Sequence, residues 1–308
     1  MKAVQVKSFG GPEVLEVTEN VQTPNFKEGQ VLIEVYSASI NPFDLYVLGG
    51  NAGRALPLIL GGDFSGVVKE VSSGVSQFSV GDKVYGQALV QNGGSGSFAQ
   101  LSVSNIKNTG VKPKNINFDE AASLPLVGSS AIQALEDHIK LSSGQKILIH
   151  GGAGGIGGVA IQIAKAIGAY VYTTVSTDDV EFVKNLGADE VIDYKTEKFE
   201  ERINGVDAVF DTVGEEVTDK SYEVIKNGGV LVSMKGISNP ELAQQHGATA
   251  IPQFTKVTTD RLNQLREYVE RGKVRPQVDK VFPIEQVKDA FDYMINGSPR
   301  GKVVIKVK

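Results

Sequence analysis

The sequence of 308 residues contains no cysteine and no tryptophan, and it has only three histidines. Without cysteine there can be no disulfide, no catalytic thiolate and no cysteine-ligated zinc or iron–sulfur site. His138, His150 and His246 are far apart, and none belongs to a pair at helical spacing that would put two metal ligands on one face. The sequence therefore predicts a protein that binds no metal.

Long apolar runs are also missing, since no stretch approaches the ~20 apolar residues that a membrane-spanning helix needs. The hydrophobic content of 41% and the charged content of 22% are ordinary for a globular domain. The chain starts Met1-Lys2-Ala3-Val4 and enters an alternating pattern, with no apolar run that ends in a cleavage site. We therefore expect a soluble, cytoplasmic protein without a membrane partner.

An excess of positive charge is likewise absent. Lysine and arginine number 31 against 36 aspartates and glutamates, which gives a net charge of -5. The basic residues are scattered rather than gathered in a stripe, so nucleic acid is not expected as a partner. A small anionic cofactor needs only local positive charge and stays compatible with this composition.

Two domains are expected, because 308 residues exceed the size at which a single hydrophobic core usually stops growing. Up to residue 105, short alternating or apolar runs are separated by glycine-rich turns, which is typical of a compact, barrel-like all-β unit. The last strands, at 278–282 and 301–307, have the same character. We therefore predict a first domain at 1–120 that is completed by 260–308.

The middle of the chain alternates apolar runs with stretches of helical periodicity. This alternation predicts βαβ units and a parallel, doubly wound sheet, so the chain belongs to the α/β fold class. The second domain is predicted at 121–259, and residues 49–57 and 240–258 are expected to be loops that contribute to a pocket. The first crossover helix is predicted at 155–167. The predicted strands lie at 146–150, 170–175, 191–194, 208–211 and 230–233.

A glycine-rich sequence, Gly152-Ala153-Gly154-Gly155-Ile156-Gly157, lies between the first strand of this sheet and its helix. In that context Gly152 would permit a tight turn, Gly154 would let the backbone approach a diphosphate, and Gly157 would allow close helix packing. The helix N-terminus adds free N–H groups and the positive end of its dipole. All six residues are therefore predicted to bind a dinucleotide. A purely structural glycine turn is the alternative.

The end of the second strand reads Thr174-Val175-Ser176-Thr177-Asp178-Asp179, with hydroxyls where an NAD-specific site has an acidic residue. A ribose 2′-phosphate could bind the Ser176 and Thr177 hydroxyls, and NADPH is therefore favoured over NADH. Ser176 could instead be a helix cap, and Lys302 a solvated strand residue. Further contacts to the phosphate could come from Tyr194, Lys195 and Lys302.

Further stretches in both domains agree with one family. They read Ala-Ser-Ile-Asn-Pro-Phe-Asp at 38–44, Gly-Asp-Phe-Ser-Gly-Val-Val at 62–68, Phe-Ser-Val-Gly-Asp-Lys-Val at 78–84, Ala-Ala-Ser-Leu-Pro-Leu at 121–126 and Gly-Lys-Val-Val at 301–304. Together with the glycine motif they run through the whole chain in order. The sequence resembles the zinc-independent quinone oxidoreductases of the medium-chain dehydrogenase/reductase superfamily.

The resemblance implies a GroES-like β-barrel domain, a Rossmann domain, an active site in the cleft between them, and a homodimer. In zinc-dependent members a cysteine and a Gly-His-Glu segment bind the metal, whereas here residues 40–44 contain no cysteine and residues 61–63 read Gly-Gly-Asp. Without a Lewis acid, polarising an alcohol for oxidation is difficult. The implied reaction is hydride transfer from NADPH to a quinone or an α,β-unsaturated carbonyl.

The resemblance assigns catalytic roles to Asn41, Tyr46 and Ser130. Asn41 would hydrogen-bond near the nicotinamide or the substrate carbonyl, Tyr46 would donate to or stack on the ring, and Ser130 would lie near the nicotinamide ribose. Asn41 could instead belong only to a turn before Pro42, and Tyr46 could serve only in packing. His150 is expected to be a packed, hydrogen-bonded residue rather than a proton shuttle.

The resemblance also places three residues along the cofactor. Val213 would lie near the adenosine half, and Met234 and Gly236 would face the carboxamide of the nicotinamide. Asp44 and Asp63 are assigned structural roles, because nothing in the sequence places these two carboxylates together.

Two other functions stay open. A 2-enoyl-thioester reductase would need a basic patch for the phosphates of its carrier, and the sequence shows no concentrated patch. A cofactor-binding protein with a structural or regulatory role would bind NADPH without hydride transfer, since fold alone does not dictate function. The favoured interpretation is a metal-free oxidoreductase that acts on a small quinone or enone.

Overall fold

The computed structural model describes all residues from Met1 to Lys308. Its strands, numbered along the chain, are β1 (Ala3–Val6), β2 (Leu15–Thr18), β3 (Gln30–Ser39), β4 (Leu58–Ile59), β5 (Asp63–Val71), β6 (Lys83–Gln87), β7 (Leu101–Asn105), β8 (Thr109–Val111), β9 (Lys146–His150), β10 (Tyr170–Val175), β11 (Glu190–Asp193), β12 (Val206–Asp211), β13 (Ile225–Ser233), β14 (Thr249–Pro252), β15 (Val278–Pro283) and β16 (Lys302–Lys306). Its α-helices are α1 (Pro42–Leu48), α2 (Phe118–Ala122), α3 (Pro125–Ile132), α4 (Gly155–Ile167), α5 (Val180–Asn185), α6 (Phe199–Arg202), α7 (Glu216–Lys220), α8 (Pro240–Gln245), α9 (Thr259–Glu270) and α10 (Val287–Asn296).

The chain divides into two compact units. Unit 1 comprises Met1–Leu126, Val257–Glu270 and Pro276–Lys308. Unit 2 comprises Val127–Lys256 and the short segment Arg271–Arg275. The sequence predicts boundaries at 120/121 and 259/260, whereas the units change at 126/127 and 256/257.

Unit 1 is built on two sheets of mainly antiparallel strands. The larger sheet has seven strands in the order β15-β16-β3-β5-β6-β8, with β7 paired to β3. The smaller sheet has the order β2-β1-β4. Within the larger sheet only β15 and β16 run parallel to each other, and β16 pairs with β3 in antiparallel fashion. The late strands β15 and β16 thus lie in the same sheet as β3.

Strand β3 organises the larger sheet. Its sequence is rich in β-branched and aliphatic residues, and Val31, Ile33 and Val35 on one face are fully buried. The register with β16 puts Val304 opposite Ser39. The N–H of Ile40 continues this pairing by donating to the carbonyl of Val303 at 3.1 Å. The register therefore brings the start of β16 next to the residues that follow β3.

Apolar side chains from β1, β3, β16 and α10 form the main core of unit 1. Phe98 and Phe291 meet edge to face in this core, with ring centroids 6.1 Å apart. Such a pair adds to the burial of apolar area that holds the unit together.

Unit 2 contains six parallel strands in the order β11-β10-β9-β12-β13-β14. Counted from β9, this is the 3-2-1-4-5-6 order of doubly wound nucleotide-binding folds. Strand β9 is buried after its first residue, as a central strand covered on both faces requires. The predicted parallel sheet is confirmed, and the predicted helix over 155–167 is α4. None of the ten helices combines the length and the hydropathy that crossing a bilayer requires.

The prediction of a loop over residues 240–258 is wrong. Residues Pro240–Gln245 form α8, and Thr249–Pro252 form β14, which pairs in parallel with β13 as the edge strand of the sheet. This strand has four residues and ends in proline, so its pattern is too short to be recognised as a strand. Pairing with β13 supplies the stability that local propensity does not.

Candidate active site

Asn41 lies where β3 is followed by α1, in unit 1. Its backbone is extended, with φ -124° and ψ 153°, and Pro42 takes the first helical position, where its missing N–H costs nothing. The N–H of Asn41 donates to Oδ2 of Asp44 at 2.8 Å, which closes the first turn of the helix. The Asn-Pro pair is therefore the N-terminus of a helix and not an isolated turn.

The buried side chain of Asn41 is held at both ends of its amide. Nδ2 donates to Oδ2 of Asp63 at 3.0 Å, and Oδ1 accepts from Nζ of Lys302 at 2.6 Å. Nζ of Lys302 also donates to the carbonyl of Ile40. Lys302 is therefore a buried residue and not a solvated one. This geometry disfavours its predicted contact with a cofactor phosphate, because the ammonium is buried against Ile40 and Asn41.

Asp63, at the start of β5, is fully buried, and both of its carboxylate oxygens accept hydrogen bonds. Oδ1 accepts from Nε2 of Gln87 at 3.1 Å, and Oδ2 accepts from the N–H of Leu126 at 3.1 Å as well as from Asn41. Gln87 lies opposite Asp63 in the register of β5 and β6. No sequence pattern marks Gln87, because one buried polar residue in a strand is too common to indicate a site.

Asp44 belongs to the same cluster, which corrects the expectation that nothing brings it together with Asp63. Asp63 lies opposite Ser39 at the end of β3, only a few residues before the start of α1. Burial raises the pKa of Asp44 to about 7, although the hydrogen bond from Asn41 and the charge of Lys302 oppose the rise.

Burial also shifts the pKa values of the other two ionisable groups of the cluster. Burial raises the pKa of Asp63, and the charge of Lys302 opposes this rise. Burial lowers the pKa of Lys302, and the two carboxylates oppose this fall. The cluster thus holds two carboxyl groups against one ammonium, so ionisation of both carboxyl groups leaves one negative charge without a cation.

Tyr46 lies on α1 with 51% of its surface exposed, and it stacks on Phe43 with ring centroids 5.9 Å apart. A pocket of about 220 Å³ opens beside the same helix within unit 1. Arg54 is the only basic residue in its wall, and the guanidinium donates to Oε1 of Gln91 at 2.7 Å. The wall is otherwise mainly apolar and comprises Phe43, Asp44, Val47, Gly53, Ala55, Leu58, Ile59, Leu60, Gly61, Leu89 and Val90.

The glycine turn of unit 2 connects β9 to α4. Gly151, and not Gly152, adopts the left-handed conformation of the tight turn, with φ 72°. Gly152 is required for space instead, because a Cβ atom there would lie 2.2 Å from Oγ1 of Thr173. The predicted turn role of Gly152 is therefore corrected, since the order of glycines in the motif does not reveal which one has positive φ.

Gly157 and Gly154 have different surroundings. A Cβ atom at Gly157 would lie 2.2 Å from the carbonyl oxygen of Gly151, so the close packing expected of this residue is present. Gly154, the N-cap residue of α4, has room for a Cβ atom, which would make an ordinary van der Waals contact with the carbonyl oxygen of Gly151 at 3.4 Å. The fold itself does not need a glycine there, whereas a diphosphate above the free N–H groups does. The remaining residues of the motif lie in the same turn and the start of the helix: Ala153, Gly155 and Ile156.

The predicted cofactor residues of unit 2 follow the carboxyl ends of its parallel strands. This edge of a doubly wound sheet is where ligands bind. The glycine turn follows β9, and the other residues follow β10, β11, β12 and β13 in that order: Ser176, Tyr194, Val213, and the pair Met234 and Gly236.

Ser176 and Thr177 each donate a hydrogen bond to a carboxylate. Oγ of Ser176 donates to Oδ2 of Asp179 at 2.7 Å, and Oγ1 of Thr177 donates to Oδ2 of Asp193 at 2.6 Å. The bond from Thr177 lowers the pKa of Asp193. Ser176 occupies the N-cap position of the short 3₁₀ turn at Thr177–Asp179, as the helix-cap alternative has it, but its hydroxyl makes no cap hydrogen bond to the backbone. A 2′-phosphate at these hydroxyls would meet two carboxylates.

Asp211 is a residue of this edge that the sequence analysis misses. Its Oδ1 accepts from the N–H groups of Val213 at 2.8 Å and Gly214 at 3.0 Å, and its carbonyl accepts from the N–H of Met234 at 2.9 Å. Asp211 therefore fixes two of the predicted cofactor segments. Its position as the last residue of a buried strand is the signal that could have found it.

Gln253 joins two other predicted residues. Its Nε2 donates to the carbonyl of Ser130 at 3.0 Å and to Sδ of Met234 at 3.3 Å. Ser130 is fully buried, and its hydroxyl shares a hydrogen bond with the hydroxyl of Thr255 at 2.7 Å. Oε1 of Gln253 is buried and has no hydrogen-bond partner. No sequence pattern marks Gln253, because it follows the unrecognised strand β14.

His150 is packed and hydrogen-bonded, as the sequence predicts. Its Nδ1 is 2.9 Å from Oγ1 of Thr174 and its Nε2 is 3.0 Å from Oγ of Ser221. Burial lowers the pKa of His150 to about 4, so the imidazole is neutral at neutral pH.

Comparison with known families gives two matches. Residues 27–114 match the family described as the alcohol dehydrogenase GroES-like domain, and residues 186–305 match the family described as zinc-binding dehydrogenase.

Similar proteins extend over the full chain. An NADPH-dependent alkenal/one oxidoreductase of Arabidopsis thaliana, described as chloroplastic, is 39% identical over 99% of this chain and 79% of that protein. A 2-methylene-furan-3-one reductase of Solanum lycopersicum has the same identity and coverage. The solved quinone oxidoreductase of Coxiella burnetii is 35% identical, covers 100% of this chain and 99% of its own, and has a TM-score of 0.92.

Zinc does not suit the residues of the buried cluster in unit 1. The cluster offers no thiolate and no imidazole, and the Lys302 ammonium already occupies the Oδ1 atom of Asn41. No group of three or more histidine, cysteine, aspartate or glutamate side chains in the structure could hold a metal ion.

Proposed function

Because the chain belongs to the quinone and enone oxidoreductases of the medium-chain dehydrogenase/reductase superfamily, we propose that it reduces a small quinone or α,β-unsaturated carbonyl with NADPH and without a metal. The observation that carries this proposal is the glycine turn before α4, where the open position at Gly154 adjoins the free N–H groups of the helix. The names of the two plant relatives support a conjugated carbonyl as the acceptor.

NADPH, when bound, supplies the hydride. In the proposal, residues 152–157 surround the diphosphate, and the N–H groups of Gly155, Ile156 and Gly157 at the start of α4 donate to it. The N–H groups of Gly152 and Gly154 already donate to the carbonyls of Thr174 and Gly151. Val213, held by Asp211, borders the adenosine half. The unpartnered Oε1 of Gln253 accepts from the carboxamide of the nicotinamide, next to Met234 and Gly236. A buried acceptor without a donor costs free energy, and such a ligand removes that cost.

The acceptor is bound by residues of unit 1. Asn41 donates a hydrogen bond to its carbonyl oxygen, and the exposed ring of Tyr46 stacks on or donates to the conjugated system. The apolar pocket beside α1 holds the hydrocarbon part of the acceptor. Ser130 keeps its predicted place near the nicotinamide ribose, with its hydroxyl beside that of Thr255.

The preference for NADPH is proposed to be modest. In the proposal the 60% exposed Tyr194 donates to a 2′-phosphate, and so does the Ser176 hydroxyl once it is released from Asp179. The carboxylates of Asp179 and Asp193 lie within hydrogen-bond distance of the neighbouring hydroxyls and repel a phosphate. NADH, whose ribose has no phosphate, is therefore proposed as a second, weaker cofactor. A homodimer in the cytoplasm completes the proposal, and sedimentation of the purified protein tests the assembly.

The direct test is NADPH oxidation by the purified protein with a panel of short alkenals, enones and quinones. The expected result is acceptor-dependent loss of NADPH absorbance. Tight binding of NADPH without turnover of any acceptor would instead favour a structural or regulatory role. Turnover only with long acyl thioesters would favour a 2-enoyl-thioester reductase.

A graded substitution at Gly154 tests the cofactor site. Gly154→Ala and Gly154→Val should fold, because the nearest atom to the new Cβ is 3.4 Å away. Affinity for NADPH, measured by fluorescence titration, should fall with alanine and fall further with valine, since the side chain fills the space of the diphosphate. A folded Gly154→Val protein with wild-type affinity would refute this placement.

A further inference from the structure

The orientation of the Asn41 amide follows from the chemistry of its two partners. The Lys302 ammonium can only donate hydrogen bonds. Both oxygens of the Asp63 carboxyl group face N–H donors, from Gln87 and Leu126, and therefore act as acceptors. Oδ1 of Asn41 faces the ammonium at 2.6 Å and Nδ2 faces the carboxylate at 3.0 Å. Turning the amide over would set N–H₂ against the ammonium and Oδ1 against the carboxylate, and both charge-assisted hydrogen bonds would be lost.

This orientation leaves one N–H of Asn41 without an acceptor. A primary amide has two N–H bonds, and Nδ2 makes a single hydrogen bond, to Asp63. The residue is 3% exposed, so water satisfies the second N–H poorly. An unused donor in a buried cluster is available for a ligand oxygen.

The two partners of Asn41 are themselves immobilised. Lys302 is the first residue of β16, and its ammonium is also bonded to the carbonyl of Ile40, at the end of the paired strand β3. Asp63 is fixed by Gln87 and by the N–H of Leu126. Neither side chain can turn away without breaking hydrogen bonds that are shielded from water.

We propose that Lys302 and Asp63 are positioning residues that present the second N–H of Asn41 to the carbonyl oxygen of the acceptor. The inference rests on the proposed function. Hydride addition to the β-carbon moves the C=C electron pair to form an enolate, and the α-carbon then takes a proton from water. Negative charge grows on the oxygen during the first step, and the N–H stabilises it. The hydrogen bond from the ammonium to Oδ1 polarises the amide and strengthens this donor.

The test compares variants of Lys302 with a matched control on the same strand. Lys302→Met removes the ammonium at similar length, Lys302→Gln retains an N–H donor without the charge, and Lys306→Met removes a charge from an exposed position. Enone reduction by Lys302→Met should have a kcat at least about tenfold lower, against about 100-fold for Asn41→Ala. Lys302→Gln should be intermediate and Lys306→Met unchanged. The affinity of all four variants for NADPH should stay within about twofold of the wild-type affinity.

A double variant separates positioning from general damage. If Lys302 acts through Asn41, adding Lys302→Met to Asn41→Ala should cost less than about twofold further in kcat. A double variant about tenfold slower than Asn41→Ala overturns the inference, and so does a folded Lys302→Met with the kcat of Lys306→Met. Where Lys302→Met does not fold, Lys302→Gln carries the same comparison.

A second readout needs neither cofactor nor turnover. In cofactor-free protein labelled with ¹⁵N-asparagine, the side-chain N–H₂ of Asn41 should give two well-separated proton signals, because only one N–H is hydrogen-bonded, to Asp63. In Lys302→Gln the signals should shift. Two signals at the same chemical shift, or no change in Lys302→Gln, contradict the proposed orientation. Failure of every acceptor to react with wild-type protein would refute the proposed function, while this spectrum still decides the orientation.

Discussion

Burial governs the ionisation of Asp44, and this has a measurable effect on stability. The pKa of its carboxyl group is about 7 in the folded protein and near the ordinary value of 3.8 in the unfolded chain. Between these values the folded state binds more protons than the unfolded state. The contribution of Asp44 to stability is therefore complete below the lower pKa and is lost as pH rises through the upper one.

Asp44→Asn should remove this dependence. The free energy of unfolding of the variant minus that of the wild type should rise with pH between about 4 and 7, by up to about 1.4 kcal/mol per pH unit, and level off above. Urea denaturation of both proteins at several pH values measures the difference. A difference that is flat or falls over this interval would show that Asp44 is ionised throughout.

The charge of Asp179 should limit the preference for NADPH. Asp179→Asn keeps an oxygen that can accept from Ser176 but removes the charge. The ratio of kcat/KM for NADPH to that for NADH should therefore increase about three- to tenfold, as expected for removal of one nearby like charge. Asp178→Asn removes the same charge from a more exposed neighbour and should have a smaller effect. Equal ratios for both variants would exclude a specific role for Asp179.

At the residue scale the sequence predicts individual candidates better than their partners. Asn41 is found from its motif, but its bonds to Lys302 and Asp63 depend on the pairing of β16 and β5 with β3, which no local pattern specifies. The same reason explains the omission of Gln87 and of Gln253. Each is a common polar residue whose role arises only when another strand is placed beside it.

At the scale of elements, the turn before α4 depends on how closely the helix approaches β9. A Cβ atom at Gly157 would lie 2.2 Å from the carbonyl oxygen of Gly151, which is backbone and cannot rotate away. A Cβ atom at the neighbouring Gly158 would lie 3.3 Å from the end of the Leu186 side chain, which can adjust. The two adjacent glycines therefore allow a matched comparison of alanine substitutions.

Gly157→Ala should lower the free energy of unfolding by about 1–3 kcal/mol and weaken NADPH binding, because the whole turn must move. Gly158→Ala should change stability by less than about 1 kcal/mol, since the helix gains from replacing glycine. Chemical denaturation and NADPH titration of both proteins make the comparison. Equal loss of stability in the two variants would contradict the described packing.

The elements of unit 2 are predicted well because their patterns are long or strongly apolar. Helix α4 has the predicted bounds, and strands β9 and β10 do too. Strand β14 is missed, and Gly152 is assigned the turn conformation that Gly151 adopts. Short edge strands and the sign of φ are decided by tertiary pairing and by steric contacts that the sequence does not display.

At the scale of the whole molecule, we propose catalysis without a metal, because the sequence has no cysteine and an ammonium lies inside the unit 1 cluster. Dialysis against a strong chelator should leave the rate of enone reduction unchanged, and added zinc should not raise it. Metal analysis of the purified protein checks the same point. Loss of activity on chelation with recovery by zinc would require ligands outside this cluster.

The presence of two domains and their fold class follow from the change in the period of the hydrophobic pattern along the chain. The exact residues at which one unit gives way to the other do not. The long interruption of unit 1 begins after Leu126 and ends before Val257, and neither region has a strong pattern of its own. The class of acceptor follows from the family, but the wall of the pocket beside α1 comes from four separate segments of unit 1. Its shape therefore could not be predicted from any one of them.

Transfer of deuterium from the cofactor to the acceptor is the sharpest test of the proposed hydride transfer. The protein is incubated with NADPH that carries deuterium at the transferable position of the nicotinamide and with a short enone, and the product is examined by mass spectrometry and NMR. We expect one deuterium at the β-carbon and a solvent-derived proton at the α-carbon. NADPH oxidation with no deuterium in the product, or no reduction of any conjugated carbonyl, would contradict it.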